Sequence, residues 1–96
     1  MRHFRLALYD VTSGTAEEAV DIARGAIAIF EAQPGFVRYE FGSLDDGGIV
    51  SFSVWETENE ARHAETVAAD YTRAHLADRI KERQLHTGDL AWDEAL

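Results

Sequence analysis

Residues 34–56 read PGFVRYEFGSLDDGGIVSFSVWE, and their pattern is that of one long β-hairpin. Phe36 to Ser43 and Ile49 to Trp55 are rich in aromatic and β-branched side chains and alternate in polarity, as half-buried strands do. Asp45, Asp46, Gly47 and Gly48 separate them, and Asp and Gly tolerate the positive φ angles that tight hairpin turns demand. Pro34 and Gly35 stop the preceding helix and turn the chain into the first of these strands.

Outward from the hairpin the two flanks resemble each other. Upstream, Phe4 to Val11 reads as a strand with Phe4, Leu6 and Leu8 on one face and His3, Arg5, Ala7 and Tyr9 on the other, and Asp10 to Gly14 as a loop. Thr15 and Glu18 form a capping box, in which the hydroxyl takes the N3 amide and the carboxylate reaches back to the cap N–H. The helix they start is predicted to run to about Ala32, with Ala16, Ala19, Val20, Ala23, Ala26, Ile27 and Phe30 as its buried stripe. Gly25 in its middle costs about 1 kcal/mol against Ala, which points to close packing there.

Downstream, Thr57 and Glu60 repeat the capping pattern and open a second helix. Ala64, Ala68, Tyr71 and His75 share one of its faces, and the small residues leave room beneath it; Asp70 marks an expected kink. Leu85 to Asp93 closes the chain as a strand, with a bulge at Gly88 and with Leu90 and Trp92 facing one way.

Ninety-six residues with 46% hydrophobic content describe a single domain, 1–96, with one core. A formal net charge of -9, with the nine Lys and Arg scattered, argues against nucleic acid and anionic membrane surfaces as partners. The absence of cysteine removes disulfides and Cys-ligated zinc, and no His, Asp or Glu set has metal-ligand spacing. No apolar run has the length of a signal-peptide core or a membrane span, so the expectation is a soluble, cytoplasmic protein.

The element order βαββαβ predicts an α+β, ferredoxin-like sandwich with two helices on one face of an antiparallel sheet. Strand parity then divides the sheet. Phe4, Leu6, Leu8, Val37, Tyr39, Phe41, Val50, Phe52, Val54, Leu90 and Trp92 form an apolar face assigned to the helices. The opposite face is mixed, and Phe36, Arg38, Ser51, Ser53 and Trp55 on it are expected to form a homodimer interface, because Phe36, Ile49 and Trp55 together make too large an exposed patch.

The PGF opening the second strand, the DGG turn, the SVWE exit and the helix carrying Tyr71 and His75 together resemble the antibiotic-biosynthesis-monooxygenase-like family of dimeric α/β barrels. The resemblance implies a homodimer whose two sheets form a barrel, with a pocket in each subunit between sheet and helices. It also implies activities among which are cofactor-free oxygenation of aromatic polyketides, haem degradation and quinol oxygenation. Members that degrade haem carry an Asn on the first strand, and a Trp with a haem-ligating His on the second helix. Here Ala7 stands at the first place and Ala64 or Glu65 at the second, so only His75 matches and haem degradation is not expected.

Tyr71 and His75 are the candidate catalytic pair, one helical turn apart, a neutral His being a competent base near pH 7 and a Tyr hydroxyl able to orient or protonate an oxygen. Tyr39, Phe52, Ala64 and Ala68 are the candidate pocket lining. The pair also reads as partly buried packing residues whose polar ends reach water or backbone, the commoner role of a Tyr on a helix face. His63 reads as solvated, His3 and His86 as unable to share a metal, and Arg38 and Glu40 as pairing across the dimer. Three functions follow: a cofactor-free monooxygenase acting on a small aromatic polyketide or quinol, a non-catalytic homodimeric binder of a small molecule, and RNA binding through the open sheet, which the charge and the missing RNP pattern oppose.

Overall fold

In the computed structural model, which describes residues 1–93, the hairpin lies in a sheet of strands β1 (His3–Val11), β2 (Phe36–Ser43), β3 (Ile49–Trp55) and β4 (Ile80–Asp89). The order is β2-β3-β1-β4 and every adjacent pair is antiparallel, the arrangement of a ferredoxin-like fold. The turn closes through Leu44 N–H to the Gly48 carbonyl (2.8 Å) and Gly47 N–H to the Leu44 carbonyl (3.0 Å), with Gly47 at φ 91°. Asp46 Oδ1 accepts the Gly48 N–H at 2.9 Å, which, with help from Arg83, holds this carboxylate below its usual pKa.

The first capping box forms as expected: Thr15 Oγ1 accepts the Glu18 N–H at 3.2 Å and Glu18 accepts the Thr15 N–H at 3.2 Å. The helix it opens is not continuous. It divides into α1 (Ala16–Ala23), a 3-10 turn (Arg24–Ala26) and α2 (Ile27–Glu31). The break sits at Gly25, where a Cβ would collide with the Tyr71 hydroxyl, and that hydroxyl donates to the Ile22 carbonyl at 2.7 Å. Thr57 caps α3 (Glu58–His75) by accepting the Glu60 N–H at 3.2 Å. This helix passes through Asp70 unbroken, and Asp70 pairs with Arg73 at 3.0 Å instead of marking a kink.

The parity assignment is inverted over most of the sheet. The strand residues under the helices are Arg5, Ala7, Tyr9, Ile49, Ser51, Ser53 and Trp55, and Phe4, Leu6, Leu8, Val50 and Phe52 stand on the free face. Ser51, Ser53 and Trp55, expected at an interface, are therefore interior, and Phe52, expected in the pocket, is not. The inversion is physically possible because the covered polar groups satisfy one another: Trp55 Nε1 donates to Ser53 Oγ at 2.9 Å and Ser51 Oγ donates to the Tyr39 hydroxyl at 3.0 Å.

Strand β2 follows a mixed rule. A register shift between Phe36 and Arg38 puts Phe36 opposite Trp55 and Tyr39 opposite Ser53, so Phe36 and Tyr39 share the helix face although three residues apart. Phe36 thus packs on Trp55 (rings 5.6 Å apart), and Arg38 alone of the expected interface set lies on the free face, its guanidinium 5.8 Å from the Phe52 ring centroid. Arg38 and Glu40 pair with each other at 3.2 Å within the chain.

The last strand begins five residues earlier than its composition suggests, at Ile80, and its bulge lies opposite Leu8 and Tyr9 rather than at Gly88. Leu90 and Trp92 fall beyond it. Residues 90–93 form a strap across one end of the free face: Leu90 N–H donates to the Arg2 carbonyl at 2.9 Å, and the Asp93 carboxylate binds Arg2 at 3.2 Å and Arg38 at 3.0 Å. Arg2 precedes β1 and Arg38 lies on β2 as the register partner of the fully buried Val54, so the Asp93 carboxylate links the two strands that flank β3. No described helix is long and apolar enough to cross a membrane.

Candidate functional site

The alanines of the helix stripes decide where space remains. Ala19, Ala23 and Ala26 from the first helical segment and Ala68 from α3 face the sheet where a larger side chain would fill the gap. They leave a cavity of about 40 Å³, counted as room for the centre of a water-sized sphere, against Arg5, Tyr9, Tyr39, Phe41 and Ser51. Phe30 closes one wall and stacks on Tyr39 with ring centroids 4.8 Å apart. The room expected beneath the second helix is there, although Ala64 itself is buried in the adjoining core with Trp55 and Phe30 rather than at the cavity.

A second space adjoins the first. Helix α3 packs over β1 and β3, and beyond Ile80, which is buried with Ala19 and Leu76, β4 is largely exposed, so an open groove of about 600 Å³ runs between α3 and β4. Arg5, Tyr9, Ala68, Thr72 and Ile80 border both spaces and form the partition between them.

Tyr71 and His75 are brought together as their spacing requires, with ring centroids 4.4 Å apart. Only the Tyr71 ring borders the cavity, and its hydroxyl is engaged by the Ile22 carbonyl. The His75 ring is exposed and borders neither space. His63 is exposed as well, and His3 is held at 2.9 Å by Asp89. His86 pairs in register with Leu6, on the face opposite His3, and the described residues hold no cluster of three or more potential metal ligands.

The polar group that sequence reasoning passed over is Arg5. It is only 6% exposed, yet among the described residues nothing accepts a hydrogen bond from its Nε; Glu65 Oε1 stands 3.6 Å away, in ion-pair range but beyond hydrogen-bond range. Parity had placed Arg5 on the face opposite the helices, which hid its burial. The available signal was a single cation inside the run FRLALY, on a strand destined for the centre of the sheet.

Burial raises the pKa of Tyr9, with the Arg5 charge opposing and Glu82 adding to the rise. Burial raises that of Tyr39 too, opposed by the hydrogen bond from Ser51 and by Arg5. Both folded values thus lie above the ordinary 10.0, so the stability contributed by the two neutral phenols is complete below pH 10.0 and is lost as pH rises through the folded values. Titration of tyrosinate absorbance checks this. Tyr9→Phe and Tyr39→Phe should each remove a late-ionising step, and removal of an early step instead would contradict the placement of these rings.

The model of the antibiotic biosynthesis monooxygenase family matches residues 3–77. Among solved structures, SnoaB, a cofactor-independent oxygenase from Streptomyces nogalater, superposes with a TM-score of 0.74 at 20% identity, over 97% of this chain and 96% of its own. A putative antibiotic biosynthesis monooxygenase from Chloroflexus aurantiacus gives 0.76 at 11% identity, covering 98% and 97%. A protein of unknown function from Nitrosomonas europaea gives 0.79 at 14% identity, covering 98% and 94%. At these identities the likeness establishes the fold. No curated protein matches the chain.

Proposed function

The chain belongs to the antibiotic biosynthesis monooxygenase family, and on that premise we propose that it is a cofactor-independent monooxygenase acting on a small aromatic substrate of polyketide or quinol type, held between sheet and helices across the cavity and the adjoining groove. The observation that carries this reading is the cavity itself: apolar walls of Ala, Phe30 and Phe41 with a few polar groups, Arg5, Tyr9, Tyr39 and Ser51 from the sheet and Tyr71 and Thr72 from α3. In such a reaction a deprotonated phenol adds its electron-rich ring carbon to O2. The ring hydroperoxide then loses water to give a quinone, so that one oxygen atom enters the ring as a carbonyl and the other leaves as water.

The test is oxygen uptake by purified protein with a panel of hydroxylated naphthacenes and quinols. Uptake with stoichiometric quinone is expected, and none across the panel would overturn the reading. His75→Ala is expected to leave the rate near wild type, because the imidazole borders neither space. A specific observation favours a second reading, a dimeric binder without turnover: the Tyr71 hydroxyl is already engaged and His75 stands outside, so the expected pair offers the cavity no free base. Thermal stabilisation by the same compounds without oxygen uptake would select it.

The free sheet face completes the proposal. Phe4, Leu6, Leu8, Val50 and Phe52 make a contiguous half-buried apolar surface, with Phe4 and Phe52 stacked at 5.9 Å. A second copy covers it in the proposed assembly, where Phe52 and Arg38 are interface residues. Light scattering at micromolar concentration is expected to give the mass of a dimer for wild type and of a monomer for Phe52→Asp. A monomeric wild type would refute the assembly.

A further inference from the structure

We propose that Arg5 is an anion-recognition residue, and that the ligand is an aromatic acid whose carboxylate lies on this guanidinium while its ring extends from the cavity into the groove between α3 and β4. The inference rests on the reading of the cavity as the ligand site and adds the chemical class that the site selects.

Burial of a guanidinium is tolerated when its donors are matched, and here one is not: the Nε of a side chain more than nine-tenths buried has no acceptor among the described residues. An arginine presents a planar fork that fits a carboxylate with two parallel hydrogen bonds, and a neutral ligand leaves that fork unsatisfied. Arg5 stands where the two spaces meet. The cavity alone, at about 40 Å³, is too small for a fused aromatic ring system, so a ligand held at Arg5 must occupy the groove as well. Tyr9 and Tyr39 border the cavity beside Arg5, close enough for its charge to act on both, and they supply hydroxyls for a phenolic oxygen next to the carboxylate.

The rest of the groove does not attract anions. Glu65 and Glu82 line it, and Arg73 there is already paired with Asp70 at 3.0 Å. Arg5 is thus the lining cation without a hydrogen-bonded carboxylate. Glu65 is its competing counter-ion, with a side chain 37% exposed and no hydrogen bond to Arg5 Nε, so an entering carboxylate displaces little when it takes that place.

Calorimetric titration with 1-hydroxy-2-naphthoate and its neutral methyl ester tests the assignment without reference to turnover. Wild type is expected to bind the acid at least about tenfold more tightly than the ester, the scale of one charge-assisted hydrogen bond. Arg5→Met should abolish that preference, so that acid and ester bind alike. Glu65→Gln, at a partly exposed helix position where folding is not at stake, should strengthen acid binding relative to the ester. Equal affinity for acid and ester in wild type, or a preference that survives in folded Arg5→Met, would overturn the role of Arg5 alone. If Arg5→Met does not fold, Glu65→Gln decides, and unchanged acid binding in it overturns the proposal. Binding of neither probe would overturn the ligand-site reading and this inference with it.

Discussion

Replacing Trp55 by Ala is expected to destabilise the protein by about 3–5 kcal/mol, the usual consequence of emptying a large aromatic site in a core. Trp55 is fully buried, at 0% exposure, and sits where the helix layer and the hairpin meet. Phe30 and Phe36 approach its ring edge-on at 6.3 and 5.6 Å, and Ala61 and Ala64 of α3 cover it. Those alanines cannot reach into the vacated space, so the cavity persists instead of collapsing. The indole also leaves behind Ser53 Oγ, whose acceptor role it filled at 2.9 Å. A domain of this size has about 5–15 kcal/mol to lose, so the variant should unfold at a far lower denaturant midpoint or not accumulate folded at all. Trp55→Phe, which keeps most of the volume, should recover most of the difference. A midpoint for Trp55→Ala within about 1 kcal/mol of wild type would show that the indole is not the keystone of this core.

Gly25→Ala should also destabilise, although helix propensity alone favours Ala by about 1 kcal/mol. The added methyl meets the Tyr71 hydroxyl and pushes it from the Ile22 carbonyl, breaking a 2.7 Å hydrogen bond that ties the first helical segment to α3. Overpacking and the lost bond together set the expectation at about 2–3 kcal/mol. The partner variant separates this from a backbone effect. Tyr71→Phe removes the obstructing oxygen, so Gly25→Ala made in that background should be close to neutral or stabilising. Additive losses in the double variant would mean that the 3-10 turn, and not the hydroxyl, demands glycine.

Much of the architecture was legible because it rests on local chemistry. Thr15 with Glu18, Thr57 with Glu60, and the Asp and Gly residues of the hairpin turn specify ends and reversals through hydrogen bonds within a few residues; these form as read, except that the Glu60 carboxylate accepts from the Thr57 hydroxyl at 3.0 Å instead of from the cap N–H. The strand faces were not legible. Hydrophobicity assigned Phe4, Leu6, Leu8 and Phe52 to the helices, but the interior of this protein is built from Trp55, Phe36 and Tyr39 against alanine, with Ser51 and Ser53 satisfied by aromatic partners. A pattern of apolar alternation says which residues share a face, and cannot say which of two apolar faces another layer covers. The shift between Phe36 and Arg38 compounds this, since one extra residue in β2 moves Tyr39 and Phe36 to a common side with no mark in composition. Arg5 was missed for the same reason. The late start assigned to β4 has a different origin: IKERQLHTGD is mostly polar, as suits an edge strand left largely exposed beyond Ile80, and composition therefore hid it.

The carboxylate of Asp93 between Arg2 and Arg38 joins residues 91 positions apart in the chain. It closes a sheet whose first strand is interior, flanked by β3 and β4. During synthesis β1 is made first and waits longest, pairing on one side once β3 has left the ribosome and on the other only when β4 follows. The contacts that finish the sheet thus close its longest loops, which slows folding relative to a domain held by local contacts. Until Ile80–Asp89 emerge, one edge of β1 carries unpaired N–H and C=O groups beside the apolar row of Phe4, Leu6 and Leu8. A nascent chain halted before β4 is therefore the form of this protein most exposed to strand addition from another chain.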